Sequence, residues 1–226
     1  MSVESLLADR IADVRGRIAA AAKISGRDAS AVTLIGVTKT ASVETAAAAF
    51  ALGLHDLAES KPQELWKKAA AIPAARWHLI GHLQRNKLDR SVPLVSLVHS
   101  VDSLRLLDAL DAFGVKRGTP APVLLEVNCS REESKGGFQP DELPALAEKI
   151  ASLRGARIEG LMTMAAYSEN PESARPAFAE LRELRESLRR STGLPLPHLS
   201  MGMSNDFEIA VQEGATLLRI GTTLFG

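Results

Sequence analysis

Eight short runs of apolar and β-branched residues recur along this chain, and segments with helical periodicity separate nearly every neighbouring pair. Strict alternation of strand and helix predicts a parallel sheet, because parallel strands need a long crossover connection. Eight such units predict a closed (β/α)8 barrel, the TIM-barrel architecture of the α/β class. The predicted strands lie at residues 32–40, 54–60, 77–82, 94–101, 123–128, 157–164, 198–203 and 216–221.

An open, doubly wound sheet is the competing architecture, and it normally has a glycine-rich turn after its first strand. Here Gly36 lies inside the first predicted strand and Lys39 stands where that turn should be, so the barrel is favoured. No helix is predicted after the eighth strand. We expect the amphipathic helix predicted for residues 3–23 to close the ring there, because the first and last strands of a barrel are neighbours.

Length, charge and cysteine content limit the classes of function. The 226 residues suit one domain, expected to span 1–226, and the 27 basic and 27 acidic side chains create no field that would recruit nucleic acid or a membrane. No apolar run approaches the roughly 20 residues of a membrane span. Cys129 is the only cysteine and the N-terminus has no apolar block, so a reducing cytoplasm is the expected setting.

Lys39 ends the first predicted strand, and Ser42 is placed to cap the helix that follows. The carboxyl ends of the strands carry the active site in barrels of this type. A lysine there is costly to desolvate unless it pairs with an anion, loses its proton or forms a covalent bond. The ordinary alternative is a lysine that extends into water.

Small, hydroxyl-rich segments follow the seventh and eighth strands, where such barrels commonly bind phosphate. They are Ser200-Met201-Gly202-Met203-Ser204-Asn205 and Gly221-Thr222-Thr223, and Asn205 with Glu208 predicts a capping pair for the next helix. Ordinary tight turns are the alternative for each segment alone. A lysine across the barrel mouth from a phosphate site suggests a phosphorylated aldehyde or ketone held as a Schiff base, and pyridoxal phosphate is the cofactor that matches.

Arg219 lies two residues before Gly221 and therefore shares a strand face with it. A guanidinium stays protonated, so against the pyridine nitrogen it would keep that nitrogen unprotonated and weaken the ring as an electron sink. A salt bridge within the barrel mouth, with Glu126 as the partner, is the alternative.

Several motifs together resemble the pyridoxal-phosphate homeostasis proteins, single-domain relatives of the alanine racemase N-terminal barrel. The motifs are Val37-Thr38-Lys39, Leu79-Ile80-Gly81-His82-Leu83-Gln84-Arg85-Asn86-Lys87, His99-Ser100-Val101-Asp102, Glu126-Val127-Asn128, Lys135-Gly136-Gly137-Phe138, Gly160-Leu161-Met162-Thr163-Met164, Leu199-Ser200-Met201-Gly202-Met203-Ser204 and Arg219-Ile220-Gly221-Thr222. The chain departs from the family at Ser60, where relatives usually have asparagine, so no contact is carried over there.

The resemblance implies that Lys39 forms the internal aldimine, that Ser200, Gly221 and Thr222 bind the phosphate, and that Arg219 faces the pyridine nitrogen. Met201 and Gly202 complete the expected cofactor-binding set, and no metal site is expected. The implied function is a carrier that buffers pyridoxal phosphate in the cytoplasm, with apo-enzymes that receive the cofactor as candidate partners. We expect a monomer or weak dimer that binds neither nucleic acid nor membrane.

Two enzyme alternatives stay open. An amino-acid racemase needs a second base opposite the lysine, which a tyrosine from a second domain supplies in the racemase relatives. This chain has no second domain in its predicted pattern, and its one tyrosine, Tyr167, follows the sixth strand. A Schiff-base aldolase that uses Lys39 without a cofactor would leave the protein colourless.

Overall fold

Eight parallel strands close into a barrel in the order β1 to β8 in the computed structural model, which describes residues 3–132 and 135–226. The strands are β1 (Thr33–Val37), β2 (Asp56–Glu59), β3 (Arg76–Leu79), β4 (Leu97–Val101), β5 (Ala121–Glu126), β6 (Ala156–Met162), β7 (His198–Ser200) and β8 (Leu217–Ile220). The α-helices are α1 (Val3–Ile24), α2 (Val43–Ala51), α3 (Pro62–Ala71), α4 (Leu88–Ser91), α5 (Leu104–Arg117), α6 (Ala147–Ser152), α7 (Arg175–Thr192), α8 (Phe207–Gln212) and α9 (Thr222–Phe225). The predicted barrel is confirmed.

Local sequence signals explain where several helices begin and end. The Ser42 side chain accepts a hydrogen bond from the Thr45 N–H and caps α2 as predicted. Gly193 ends α7 in the left-handed conformation that a side chain disfavours. The cap predicted at Asn205 is wrong: Asp206 precedes α8, and Asn205 instead donates to the Ser168 carbonyl.

The N-terminal helix closes the outer ring beside the first and last strands. Leu7, Ile11, Val14 and Ile18 are all buried, and α1 packs against α2, α8 and α9. The prediction that nothing helical follows the eighth strand is wrong in detail, because the four-residue α9 follows it. This short helix does not replace a full outer helix, so α1 covers that side of the barrel. None of the helices in the described ranges has the length and hydrophobicity that crossing a bilayer requires.

The barrel interior holds two kinds of side chain. An apolar layer contains Ile35, Ala58, Leu97, Leu124, Met162 and Leu217. Buried polar side chains accompany it on the same strands, among them His78, His99, Ser200 and Arg219. Inward and outward residues alternate along a strand, so these groups share the barrel lumen with the apolar layer. Buried polar groups of this kind need partners, and those partners define the candidate site.

Candidate cofactor site at the carboxyl ends of the strands

Lys39 lies in the turn between β1 and α2, two residues beyond the end of the strand. Its side chain is exposed, while the preceding Thr38 is completely buried. Within the described residues, no hydrogen bond or ion pair engages the Lys39 amine. The Lys39 amine is therefore in contact with water, so no desolvation cost arises for it in this structure. The position leaves a primary amine free at the barrel mouth.

A buried ion pair lies directly beneath this turn. Lys68 Nζ donates to Glu59 Oε1 at 2.5 Å and to the Thr38 carbonyl oxygen at 2.6 Å. The Thr38 hydroxyl donates to the same Glu59 oxygen at 2.6 Å. Both charged side chains are nearly inaccessible to water, at 3% and 1% exposed. Through these bonds, Lys68 of α3 and Glu59 of β2 fix the position of Thr38, the residue before Lys39. This network was not predicted from the sequence.

The turns after β7 and β8 are joined to each other. The backbone N–H of Thr223 donates to Ser204 Oγ at 3.2 Å. The backbone N–H of Arg219 donates to the Gly202 carbonyl at 3.0 Å. Gly202 has φ of +92°, and a Cβ there would lie 2.6 Å from the Ala210 Cβ. Packing and backbone conformation both require this glycine. The two predicted phosphate segments therefore form one continuous surface.

The predicted residues of these segments differ in what they present to the mouth. Thr222 is exposed at the start of α9, and Gly221 lies beside Val37 of β1. Met201 is fully buried in the hydrophobic core between the barrel and its outer helices. Only its backbone can therefore face a ligand. Because β1 and β8 are neighbours, with Ile35 paired to Arg219, Lys39 lies beside the β8 turn. The expectation that Lys39 lies across the barrel mouth from the phosphate segments is therefore wrong.

Arg219 and Ser200 contact each other inside the barrel. Arg219 donates to Ser200 Oγ at 2.6 Å and to the Thr163 carbonyl at 3.0 Å. Its remaining N–H groups have no acceptor among residues 3–132 and 135–226, although a guanidinium has five donors. Burial lowers the pKa of Arg219 to about 10, against the nearby charges of Glu126 and Asp206, so the group is still a cation at neutral pH. Arg219 therefore offers a fixed cation with unused donors.

Ser200 is more constrained than the sequence suggested. Its hydroxyl is inaccessible to water and also lies 2.8 Å from His99 Nδ1. The phosphate contact predicted for Ser200 would have to compete with these two partners. His99 was not predicted as part of the site. The available signal was its position in the middle of a predicted strand, among residues that point into the barrel.

Glu126 at the end of β5 adds an acidic group to the mouth. Burial raises the pKa of Glu126 to about 7, the negative charge of Asp102 adds to this effect, and Arg219 and His82 oppose it. The salt bridge proposed between Glu126 and Arg219 is not among the ion pairs formed by the described residues. The charge of each group acts on the other without an ion pair between them in the described residues.

Comparison with known proteins identifies the family. Residues 14–226 match the model of the alanine racemase N-terminal domain. The chain is 43% identical over 220 residues to the pyridoxal phosphate homeostasis protein of Aquifex aeolicus, covering 96% of each chain. It is 42% identical over 224 residues to the protein of that name from Pseudomonas aeruginosa, covering 98% of this chain and 96% of the relative.

A solved structure extends the comparison. The PipY protein of Synechococcus elongatus PCC7942, with pyridoxal phosphate bound, superposes with a TM-score of 0.85 at 32% identity, covering 97% of this chain and 100% of PipY. Sequence and fold therefore agree over nearly the full length. The chain belongs to the pyridoxal phosphate homeostasis protein family, whose barrel is that of the alanine racemase N-terminal domain.

Proposed function

We propose that residues 1–226 form one unit that binds pyridoxal phosphate, holds it through a Schiff base on Lys39 and releases it to apo-enzymes with little or no catalysis. The observation that carries this proposal is the free Lys39 amine beside the joined turns after β7 and β8. The PLP-bound PipY structure supports the choice of cofactor. A reducing cytoplasm remains the predicted setting, and a monomer or weak dimer the predicted state.

The residues present match the chemistry of this cofactor. When bound, pyridoxal phosphate supplies an aldehyde that condenses with an amine, releasing water, and a ring that withdraws electrons. Lys39 supplies the amine, and the Arg219 cation supplies unused N–H donors for a ring nitrogen. The proposed phosphate ligands are the backbone at Met201, Gly202 and Gly221, the Thr222 hydroxyl, and the Ser200 hydroxyl, which would have to exchange its His99 partner for the phosphate. Small residues let backbone N–H groups approach an anion closely.

Two features favour a carrier over a racemase. Tyr167 is 82% exposed in the segment after β6, without the burial that would fix it as a second base. Arg219 is a cation at neutral pH, and a cation at the ring nitrogen disfavours the protonated ring that stabilises a carbanion. Both features lower the expected rate of proton abstraction from an amino acid.

One observation favours the racemase alternative. Glu126 lies in the mouth with a pKa raised to about 7, which suits a group that exchanges protons near neutral pH. Deuterium exchange at the α-carbon of L-alanine and L-serine, followed by NMR, separates the two functions. A carrier exchanges at the rate of free pyridoxal phosphate. Exchange well above that control in the wild type, and lost in Glu126→Gln, supports the racemase.

Borohydride labelling tests the covalent link. After incubation with pyridoxal phosphate and reduction, the wild type should carry the pyridoxyl group on Lys39, identified by peptide mass mapping, and Lys39→Ala should carry none there. Lys61 is the matched control, because it is exposed and follows β2 as Lys39 follows β1. Lys61→Ala should keep the label. A label on another lysine, or none on the wild type, rejects the proposal.

A further inference from the structure

A chain of hydrogen bonds crosses the barrel interior beneath the mouth. Arg219 donates to Ser200 Oγ at 2.6 Å, and that oxygen lies 2.8 Å from His99 Nδ1. His99 Nε2 lies 3.0 Å from His78 Nδ1, and His78 Nε2 lies 3.2 Å from Asp56 Oδ1. The chain connects β8, β7, β4, β3 and β2. We refer to these five side chains as the interior relay.

The two ends of the interior relay restrict where its protons lie. A guanidinium can only donate, and an ionised carboxylate can only accept. Burial raises the pKa of Asp56, but hydrogen bonds from His78 and Arg76 outweigh this effect and lower it overall. His78 Nε2 must therefore carry a proton. If His78 is neutral, its Nδ1 accepts from His99 Nε2–H, and His99 Nδ1 accepts the hydroxyl proton of Ser200.

This arrangement gives every ring nitrogen of the two histidines and the Ser200 hydroxyl proton a partner, and both imidazoles stay neutral. In the alternative, His78 carries a second proton on Nδ1 and His99 carries its proton on Nδ1. Ser200 then accepts from both Arg219 and His99, and its own hydroxyl proton loses its acceptor. The alternative also places a second cation in the lumen with Arg219. Burial lowers the pKa of His99 well below its usual value, and the charges of His78, Arg219 and His198 add to this effect.

We propose that His99 and His78 are positioning residues, which in their neutral forms make Ser200 a directed acceptor for Arg219 and so hold the guanidinium at the barrel mouth. The consequence for pyridoxal phosphate rests on the proposed function. The consequence for Arg219 itself does not depend on any bound molecule.

Several charged groups face the relay and act on its members. Asp56 on β2 faces His78, and Arg76 on β3 pairs with that carboxylate. His198 on β7 and Arg219 on β8 act on His99. Glu126 on β5 and Asp206 before α8 act on Arg219.

NMR of the wild-type protein without cofactor tests the proton positions. Long-range ¹H–¹⁵N spectra distinguish protonated from unprotonated ring nitrogens. At neutral pH we expect both His78 and His99 to be neutral, with the proton on Nε2. A proton on His99 Nδ1, or a doubly protonated His78, overturns the relay whether or not the protein binds a cofactor. This measurement needs no variant to fold.

Exchange of the Arg219 side-chain N–H protons with solvent tests the positioning role. His99→Phe breaks the relay at its centre and should speed this exchange by about tenfold, the factor that corresponds to loss of about one hydrogen bond. His55→Phe is the control, because His55 is exposed and outside the relay. If His99→Phe does not fold, His78→Phe should speed the exchange in the same way. Unchanged exchange in a folded variant of either kind rejects the positioning role.

Pyridoxal phosphate affinity gives a further readout. In His99→Phe, affinity should be about tenfold weaker at neutral pH, and His55→Phe should bind as the wild type does. Equal affinities in the wild type and a folded His99→Phe variant contradict the positioning role. If the wild type does not bind the cofactor at all, the proposed function fails while the NMR and exchange results still decide the relay.

Discussion

The two sides of the barrel mouth differ in how firmly they hold a cationic side chain. On the β1 side, Lys39 is exposed and its amine is unengaged within the described residues, while a buried Glu59–Lys68 pair holds the turn beneath it. On the β8 side, Arg219 is itself buried and held by direct hydrogen bonds to Ser200 and Thr163. A group that must form and break a covalent bond benefits from freedom, whereas a group that sets the charge beside a ring benefits from a fixed position.

The largest expected effect concerns the β1 side. Lys68→Met leaves Glu59 as an unpaired buried charge, which should lower the free energy of unfolding by about 3–5 kcal/mol in chemical denaturation. Lys67→Met is the matched control, since Lys67 is the exposed neighbour on the same helix, and should change stability by no more than about 0.5 kcal/mol.

The double variant Glu59→Gln/Lys68→Met sharpens this test. It removes the unpaired charge, so it should recover part of the stability that Lys68→Met loses. Equal losses in Lys68→Met and Lys67→Met would mean that the buried pair does not support the Lys39 turn.

The next prediction distinguishes the roles of Thr222 and Ser200, the two residues whose hydroxyls are proposed to bind the phosphate. Thr222→Ala should weaken binding of pyridoxal phosphate by about 1.5–3 kcal/mol, the cost of a lost hydrogen bond to a charged group, and leave binding of pyridoxal unchanged. Ser200→Ala should weaken binding of both compounds, because Ser200 also holds Arg219. Fluorescence titration with the two compounds measures the difference. If Ser200→Ala affects only the phosphorylated compound, Ser200 acts on the phosphate alone.

The smallest effect concerns pH and Glu126. The folded-state pKa of this carboxyl is about 7, above the ordinary 4.5, so the protein favours the protonated form. The stabilisation that protonation provides is complete below the unfolded-state pKa and is lost as pH rises through about 7. Glu126→Gln should therefore gain about 1–2 kcal/mol over wild type between about pH 5 and pH 8, less than the full shift implies because the mouth admits water.

Denaturation at several pH values checks this sign. Glu148→Gln is the control, because Glu148 is exposed on α6, and its stability should follow the wild type across the same range. A Glu126→Gln variant that parallels the wild type at every pH would show that the pKa of Glu126 is not raised in the folded protein, and would weaken the racemase alternative.

Short-range signals in the chain predicted the elements well and their ends less well. The Ser42 cap formed as predicted because a serine hydroxyl needs only the N–H groups of the next turn. The Asn205 cap failed because Asp206 supplies the helix start and Asn205 found the Ser168 carbonyl on another segment. The first strand ends at Val37 and not at residue 40, because a strand continues only as far as its neighbours pair with it.

Some residues of the candidate site could be proposed from the sequence and others could not. Lys39, Gly221 and Thr222 could be proposed from their positions after predicted strands, since carboxyl ends of barrel strands meet at one face. His99, His78 and Glu59 could not, because each works through a partner that the linear sequence does not indicate. His99 reaches Ser200 across 101 residues of chain, and that pairing exists only once the barrel is closed.

The sequence by itself determined the alternation of strand and helix, the barrel it implies and the lysine at the end of the first strand, because periodicity, caps and turn residues act over a few positions. The tertiary structure alone decided which side chains meet in the lumen. It placed Lys39 beside the β8 turn, buried Arg219 against Ser200 and aligned two histidines with Asp56. Closure of the sheet sets these contacts, because the stagger between strands determines which inward residues share a level.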